Sequence, residues 1–143
     1  PMDRGTINAS IGRHPTHRKT MTVRHLGGRV AVSHYRVLRR FNQGHPYTLL
    51  EVALETGRTH QVRVHLAHVN HPVLGDTTYG KRPAGYWAAM GICRQLLHAY
   101  RLNFRHPVTR HAMAFTAAVP DDMARWLSGI DLARLYANGG RGT

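Results

Sequence analysis

Alternating apolar and polar positions predict several short strands in the first half of the chain. Residues 30–41 are rich in β-branched and aromatic side chains, and residues 47–55 alternate between apolar and polar types. The five residues between them, 42–46, have the Asn, Gly and Pro content of a turn. The pattern therefore predicts an antiparallel hairpin with a five-residue connection, and a shorter strand at residues 7–11 before it.

The pattern changes to helical spacing after residue 59. Val62, Leu66 and Val69 fall at i, i+4 and i+7, which places them on one face of a helix. Thr59 is a suitable N-cap because its hydroxyl can accept a hydrogen bond from the first turn. The Asn-His-Pro run at 70–72 predicts the end of this helix.

The second half of the chain repeats the same kinds of element. A helix is predicted at residues 84–95, a strand at 97–104 and its hairpin partner at 112–119, and Pro-Asp-Asp at 120–122 opens a last helix. This order predicts an α+β fold with a mainly antiparallel, mixed sheet flanked by helices. The 143 residues suit one domain, which we place at 1–137, followed by a flexible glycine-rich tail at 138–143.

Charge narrows the classes of function. The chain has 20 Lys and Arg against 7 Asp and Glu, a formal net charge of +13. Because the chain has a single cysteine, Cys93, it cannot be a scaffold held together by internal disulfides, and a reducing cytoplasmic location fits. We expect Cys93 to be a small buried residue. A polyanionic partner, above all nucleic acid, explains the charge best. A merely soluble basic surface is the alternative, and a membrane is disfavoured because no amphipathic basic helix stands out.

The segment at 55–65 carries most of the candidate chemistry. A predicted strand runs through a glycine turn into the helix, whose N-terminus offers free N–H groups and a positive dipole end. Arg58 and His60 lie at that end, where both can hold a phosphate. Gln61 can hydrogen-bond the edge of a base.

Arg63 borders the predicted buried face and therefore needs a fixed anionic partner. That partner is either an external group, a carboxylate or a phosphate, or one of the local residues Glu51 and Glu55. Spacing alone does not separate these two interpretations.

The strings in this chain resemble one known family. They are ETGRTHQVRVHLAHVNHPVLGDTTYG at 55–80, LLHAYRLNFRHP at 96–107, RHPTHRKTMTV at 13–23 and AVSHYRVL at 31–38. Together they resemble the RluA/RluD family of pseudouridine synthases, specifically its RluD branch. The likeness covers nearly the whole chain, and the string at 55–80 is specific to that family.

The resemblance implies an RNA-modifying enzyme with the pseudouridine synthase catalytic fold. The family isomerises uridine in RNA to its C-glycoside after flipping the nucleotide into a pocket, using an essential Asp and no metal or organic cofactor. The Arg that pairs with this Asp maps onto Arg63, a pocket-lining position maps onto Gln61, and an apolar pocket wall maps onto Leu97. The implied partner is large-subunit (23S) ribosomal RNA in a ribosome precursor.

Basic side chains spread along the chain form the expected RNA-binding surface. The loop at 13–19 resembles a segment that contacts the RNA backbone. The full candidate set is Arg13, Arg18, Lys19, Arg58, His60, Lys81 and Arg82.

One departure from the family is decisive. The catalytic Asp belongs to a His-Arg-Leu-Asp string that does not occur in this sequence and would precede Pro1. A basic-plus-Tyr motif and a small N-terminal RNA-binding module are also missing. We therefore expect the C-terminal part of a catalytic domain, inactive alone, with a gap beside Arg63 where the carboxylate belongs. Asp76, inside HPVLGD, is expected to be structural.

Other interpretations remain. A non-catalytic basic RNA-binding module that keeps the synthase fold is the main alternative, and a basic ribosome-associated protein is a third possibility. A metal site among His60, His65, His68 and His71 is disfavoured, since no acidic ligand or metal-binding motif accompanies them.

Overall fold

The computed structural model describes residues 2–42, 44–127 and 129–131. The chain divides into two compact units, one ending at Gln95 and one beginning at Leu96. The predicted tail at 138–143 lies outside the described residues. Among the described helices, none has both the length and the apolar character needed to cross a bilayer.

The first unit is built on a three-stranded antiparallel sheet and a small two-stranded one. Its elements are β1 (Arg4–Asn8), β2 (Ile11–Arg13), β3 (Met21–Val23), β4 (Val32–Phe41), β5 (Tyr47–Leu54), α1 (Gln61–His68) and α2 (Ala84–Ala89). The larger sheet has the order β1-β4-β5, and β2 pairs with β3. The predicted hairpin of β4 and β5 is confirmed, with an irregularity in the register between Val37 and Arg39.

The strand predicted at 7–11 is two strands instead of one. Ile7 belongs to β1 in the larger sheet, whereas Ile11 begins β2 in the smaller one. Both side chains are nevertheless buried, as their apolar character requires. Ile7 packs with Leu66 and Val73, and Ile11 packs with Ala31 and Val64, so α1 contributes to both clusters.

The helix at α1 is confirmed, but its predicted buried face is only partly right. Leu66 is buried and Val62 is half-buried, whereas Val69 lies beyond the last helical residue and is 37% exposed. The chain leaves the helix through Asn70 in the left-handed region, at φ 62°. Two polar residues, Gln61 and His65, take inward positions that hydrophobic spacing cannot reveal.

The predicted N-cap at Thr59 is wrong. His60 is the capping residue, with a left-handed φ of 56° and no side-chain cap. The backbone N–H of Gln61 donates to the carbonyl of Arg58, so a tight turn leads directly into the helix.

His65 is fully buried and joins α1 to two strands. Its Nε2 lies 2.9 Å from the carbonyl oxygen of Ala9 and therefore donates to it. Its Nδ1 is then the acceptor, and it takes the hydroxyl hydrogen of Ser33 at 2.9 Å. The Ser33 oxygen accepts a further hydrogen bond from Gln61. The neutral imidazole thus has both of its ring nitrogens satisfied.

The end of the first unit differs from the prediction in two ways. The helix predicted at 84–95 stops at Ala89, because Gly91 adopts a φ of 69° that turns the chain. Trp87 and Ile92 occupy the interior, as expected for large apolar residues. Cys93, predicted to be buried, is exposed, since Ile92 takes the inward position beside it.

The second unit contains a hairpin and a short helical segment. Its elements are β6 (Arg101–Arg105), β7 (Ala112–Thr116), α3 (Asp121–Ala124) and a 3₁₀ turn at Arg125–Leu127. The predicted hairpin is confirmed by the antiparallel pairing of β6 with β7, although β6 begins four residues later than expected, at 101 instead of 97. The α+β class is therefore confirmed in both units; the strands of the described residues form three antiparallel sheets rather than one mixed sheet.

Gly75 provides a direct test of the loop that follows α1. It has a φ of +77°, and a Cβ added there would overlap the carbonyl oxygen of Arg94. We expect Gly75→Ala to lower the free energy of unfolding by more than about 1 kcal/mol in urea denaturation. The matched control is Gly85→Ala in α2, where nothing lies within 4 Å; it should be neutral or stabilising. Equal stability of the two variants would contradict the described loop.

Burial makes His65 a source of pH dependence. Desolvation lowers the pKa of His65 below its ordinary value of 6.5, and the charge of His68 adds to this, against a raising effect of the bond to Ala9. The unfolded chain therefore binds the proton more readily, so stability should fall as the pH drops below about 6.5. His65→Asn should lessen this fall, whereas the exposed control His71→Asn should retain it. An unchanged pH profile for His65→Asn would disprove the assignment.

Candidate functional site

Arg63 forms a two-pronged ion pair with Asp76. Its Nε lies 2.8 Å from Oδ2 of Asp76, and its Nη2 lies 2.8 Å from Oδ1. The Arg63 side chain is 12% exposed and that of Asp76 is completely buried. The carboxylate also accepts the backbone N–H groups of Thr78 and Tyr79, each at 3.0 Å. Four hydrogen bonds thus hold one buried carboxylate.

Asp76 therefore occupies the Nε–Nη2 edge of Arg63, where a gap was expected, and the local alternatives Glu51 and Glu55 are wrong. Glu51 of β5 pairs with Arg36 of β4, and Glu55, directly after β5, pairs with His34 of β4. The chain after α1 folds back so that Asp76, thirteen residues further on, reaches the guanidinium. Asp76 has the structural role expected of it, and it is also the partner that we did not predict.

The electrostatics of the pair keep both groups charged at neutral pH. Burial by itself raises the pKa of Asp76, but the hydrogen bonds from Arg63, Tyr79 and Thr78 and the charge of Arg63 outweigh it. The pKa of Asp76 consequently lies below its ordinary value of 3.8. The bond to Asp76 in turn raises the pKa of Arg63 against the effect of burial.

Tyr79 fixes Arg63 from a second side. The guanidinium carbon of Arg63 lies 4.8 Å from the centre of the Tyr79 ring, a cation–π contact. The Tyr79 hydroxyl accepts the backbone N–H of Met21 at 3.0 Å and lies 2.8 Å from Nδ1 of His60. The loop after α1 is therefore attached both to β3 and to the residue that precedes α1.

An open groove of about 260 Å³ lies beside Tyr79, between β3 and α1. Its lining residues are Met21, Thr22, Val23, His25, Val64, Ala67, His68 and Tyr79. Arg63 does not line this groove, but it stacks on a residue that does. The groove has an apolar floor at Val64 and imidazole groups at His25 and His68.

Gln61 is committed to the fold. Its amide nitrogen donates to the carbonyl of Val32 and to the hydroxyl of Ser33, both at 2.9 Å. Its Oε1 accepts the Thr56 hydroxyl at 3.0 Å and the Arg58 N–H at 2.9 Å. These four bonds use the whole amide, which is 2% exposed. In this arrangement the Gln61 amide has no free donor or acceptor for the edge of a base, so the predicted contact between Gln61 and a base needs correction.

Leu97 belongs to the second unit and is 37% exposed. Its predicted role as an apolar pocket wall stays a prediction.

The predicted RNA-binding residues of the 13–19 loop are exposed. Arg13, Arg18 and Lys19 lie in and beside the connection between β2 and β3. Nη1 of Arg13 donates to the carbonyl of Arg18 at 3.2 Å, which closes the loop. None of the three forms an ion pair with a described residue.

The remaining predicted RNA-binding residues differ in their burial and in their contacts. Arg58 is half-buried and its Nε donates to the carbonyl of Val30 at 3.0 Å. His60 is exposed, with one ring nitrogen against Tyr79. Lys81 and Arg82 are exposed, and Arg82 stacks over Tyr86 at 4.8 Å. Their contact with RNA stays a prediction.

The backbone hydrogen bonds of Asp76, unlike its pairing with Arg63, had a sequence signal. An Asp followed by small polar residues in a glycine-flanked loop commonly accepts backbone N–H groups two and three residues on. Gly-Asp-Thr-Thr-Tyr at 75–79 fits this pattern, and the hydrogen bonds from Thr78 and Tyr79 to Asp76 are its outcome.

In the described part of the chain, no group of three or more His, Cys, Asp or Glu residues could hold a metal ion.

Comparison with known proteins gives a consistent result. A family model described as RNA pseudouridylate synthase matches residues 1–68. The ribosomal large subunit pseudouridine synthase D of Vibrio cholerae is 48% identical over 127 residues, covering 83% of this chain and 38% of the relative. The protein of the same name from Neisseria meningitidis is 44% identical over 138 residues, covering 92% of this chain and 36% of the relative.

The fold has a solved counterpart. Human RNA pseudouridylate synthase domain containing 1 has a TM-score of 0.72 and 28% identity to this chain, covering 96% of it and 59% of the human chain. The chain spans less than two-fifths of the length of each of the two bacterial relatives. With the sequence strings and these likenesses in agreement, the chain belongs to the RluA/RluD family of pseudouridine synthases, on its RluD-like branch.

Proposed function

We propose that this chain supplies the arginine half of the active site of an enzyme that converts uridine to pseudouridine in large-subunit ribosomal RNA. The observation that carries the proposal is the setting of Arg63, the residue onto which the resemblance maps the family's active-site arginine. The guanidinium is charged, nearly buried and held in one orientation by Asp76 and Tyr79. Such a group is prepared to bind a second anion without rearranging.

Arg63 has donors left for that second anion. A guanidinium carries five N–H donors, and Asp76 takes two of them. The other three make no hydrogen bond to a described residue. In the proposed enzyme they bind the family's essential Asp, which is contributed by polypeptide outside these 143 residues.

The chemical role of Arg63 follows from its charge. A positive group within hydrogen-bond distance lowers the pKa of a carboxyl group and favours its ionised form. Arg63 therefore keeps the essential Asp ionised and aimed at the flipped uridine. Because the His-Arg-Leu-Asp string is absent from the sequence, the chain by itself is expected to bind RNA and not to isomerise it.

The basic surface supplies the RNA affinity. No Asp or Glu occurs between residues 4 and 50, and the Arg13–Lys19 region is exposed. Contacts of these cations with RNA phosphates release counterions, which makes binding depend steeply on salt.

The second candidate function is that of a non-catalytic RNA-binding module in the cytoplasm. This basic surface, together with the absence of the His-Arg-Leu-Asp string, favours it.

A chimera separates the two candidates. In it, this chain replaces the matching region of the Neisseria meningitidis relative, to which it is 44% identical. We expect the chimera to form pseudouridine in large-subunit ribosomal RNA and the isolated chain to form none. Arg63→Ala in the chimera should lower turnover by about 10²-fold or more, as loss of an oriented charged group does.

The matched control is Arg4→Ala, which removes an exposed arginine of β1 and should leave turnover unchanged. Folding of each variant is checked by its melting temperature. Pseudouridine formed by the isolated chain, or full turnover by the Arg63→Ala chimera, would disprove the proposed role. A chimera that binds RNA but never turns over would support the binding module instead.

A further inference from the structure

The sequence Arg-His-Pro-x-x-Arg occurs twice, at 13–18 and at 105–110. Each copy begins at the last residue of a strand and runs into the connection of a two-stranded antiparallel hairpin, the first between β2 and β3 and the second between β6 and β7. The two hairpins belong to different units of the chain. We propose that the turn at 105–110 is a second binding site for the phosphate groups of RNA, built in the same way as the 13–19 loop. The inference rests on the proposed RNA-binding function and extends it to the second unit.

In the first turn the histidine organises the backbone. Nδ1 of His14 accepts the backbone N–H groups of Thr16 and His17 at 3.2 and 3.0 Å. Arg13 donates from Nη1 to the carbonyl of Arg18 at 3.2 Å. The arginine at each end of the turn is exposed, and the histidine is half-buried.

The second turn repeats each of these features. Nδ1 of His106 accepts the backbone N–H groups of Val108 and Thr109 at 3.2 and 3.1 Å. Arg105 reaches from Nη1 toward the carbonyl of Arg110 at 3.5 Å. Here too the two arginines are exposed and the histidine is half-buried. The likeness is therefore one of hydrogen bonding as well as of sequence.

The bonds at Nδ1 decide what each histidine can offer. Because Nδ1 accepts two N–H groups, the neutral ring carries its hydrogen on Nε2. Each turn thus contains one imidazole N–H and two guanidinium groups within six residues, all of them donors of the kind that bind phosphate oxygens.

Nearby anions do not neutralise the second turn. No Asp or Glu occurs between residues 77 and 120. Arg105 and Arg110 form no ion pair with any residue in the described ranges. Two unneutralised cations at a hairpin tip favour a phosphate backbone over a neutral partner.

The second turn also keeps a strained arginine. The backbone N–H of His14 donates to the carbonyl of Thr20, whereas that of His106 donates to the carbonyl of His111, one residue earlier in its turn. The shorter turn closes with Arg110 at a φ of +62°. A glycine would adopt this conformation without strain. A side chain retained there at a cost in stability is consistent with a binding role.

The test measures binding of a fluorescent RNA hairpin from large-subunit ribosomal RNA over a series of KCl concentrations. Arg105→Gln/Arg110→Gln should weaken binding and lower the slope of log K against log salt by about 1 to 2 units. Arg13→Gln/Arg18→Gln should have a similar effect. The matched control, Arg4→Gln/Arg29→Gln, removes the same charge from exposed arginines elsewhere and should change the slope less.

A second variant separates binding from stability. Arg110→Gly relieves the backbone strain, so its melting temperature should equal or exceed that of the parent chain while RNA binding weakens. A merely structural role for Arg110 predicts unchanged RNA binding instead, and that result would overturn the inference.

The outcomes distinguish the inference from the function on which it rests. If the Arg13→Gln/Arg18→Gln variant lowers the slope but the Arg105→Gln/Arg110→Gln variant behaves like the control, the proposed second site is wrong. The proposed RNA-binding function is then retained. If all three pairs have equal effects, binding follows net charge and the turns are not sites. If the parent chain shows no salt-dependent binding of the hairpin, the proposed RNA-binding function itself fails.

Discussion

The ion pair of Arg63 and Asp76 is the interaction on which the rest of the candidate site depends. Removing two charges from water costs several kcal/mol for each ion, and only close geometry with further hydrogen bonds offsets that cost. Here two 2.8 Å bonds join the ions, and two backbone N–H groups satisfy the carboxylate further. The pair therefore specifies where the loop after α1 must lie and which way the guanidinium points.

A second constraint acts on the same helix. The inward side chains Gln61 and His65 are both polar, and their hydrogen bonds reach Ser33 at the start of β4. This network holds α1 to the strands, while the ion pair holds it to the loop that follows. Arg63 thus projects from a helix attached on two sides, which is the rigid support that an oriented charge needs in an active site.

Local sequence patterns predicted the strands and helices, but they did not predict the contacts between side chains that are distant in the sequence. Alternation gave the β4–β5 and β6–β7 hairpins, because a strand with one buried face has a period of two. The partner of Arg63 was missed because it depends on how the chain at 73–80 folds back onto α1. Apolar spacing also assigned Val69 to the core and left out His65, since a buried polar network has no hydrophobic signal. Family likeness assigned Arg63 to the site, which stays a prediction, whereas the contacts show that Gln61 is fully committed to the fold.

The most direct test of the account is a double-mutant cycle on Arg63 and Asp76. The free energy of unfolding in urea is measured for the parent chain, Arg63→Gln, Asp76→Asn and the double variant. Each single change leaves a buried partner unsatisfied, so each should cost about 3 kcal/mol, and the double variant should cost clearly less than their sum, with a coupling of about 2 kcal/mol. Additive losses would show that the two side chains do not act as a pair, and would contradict the central claim.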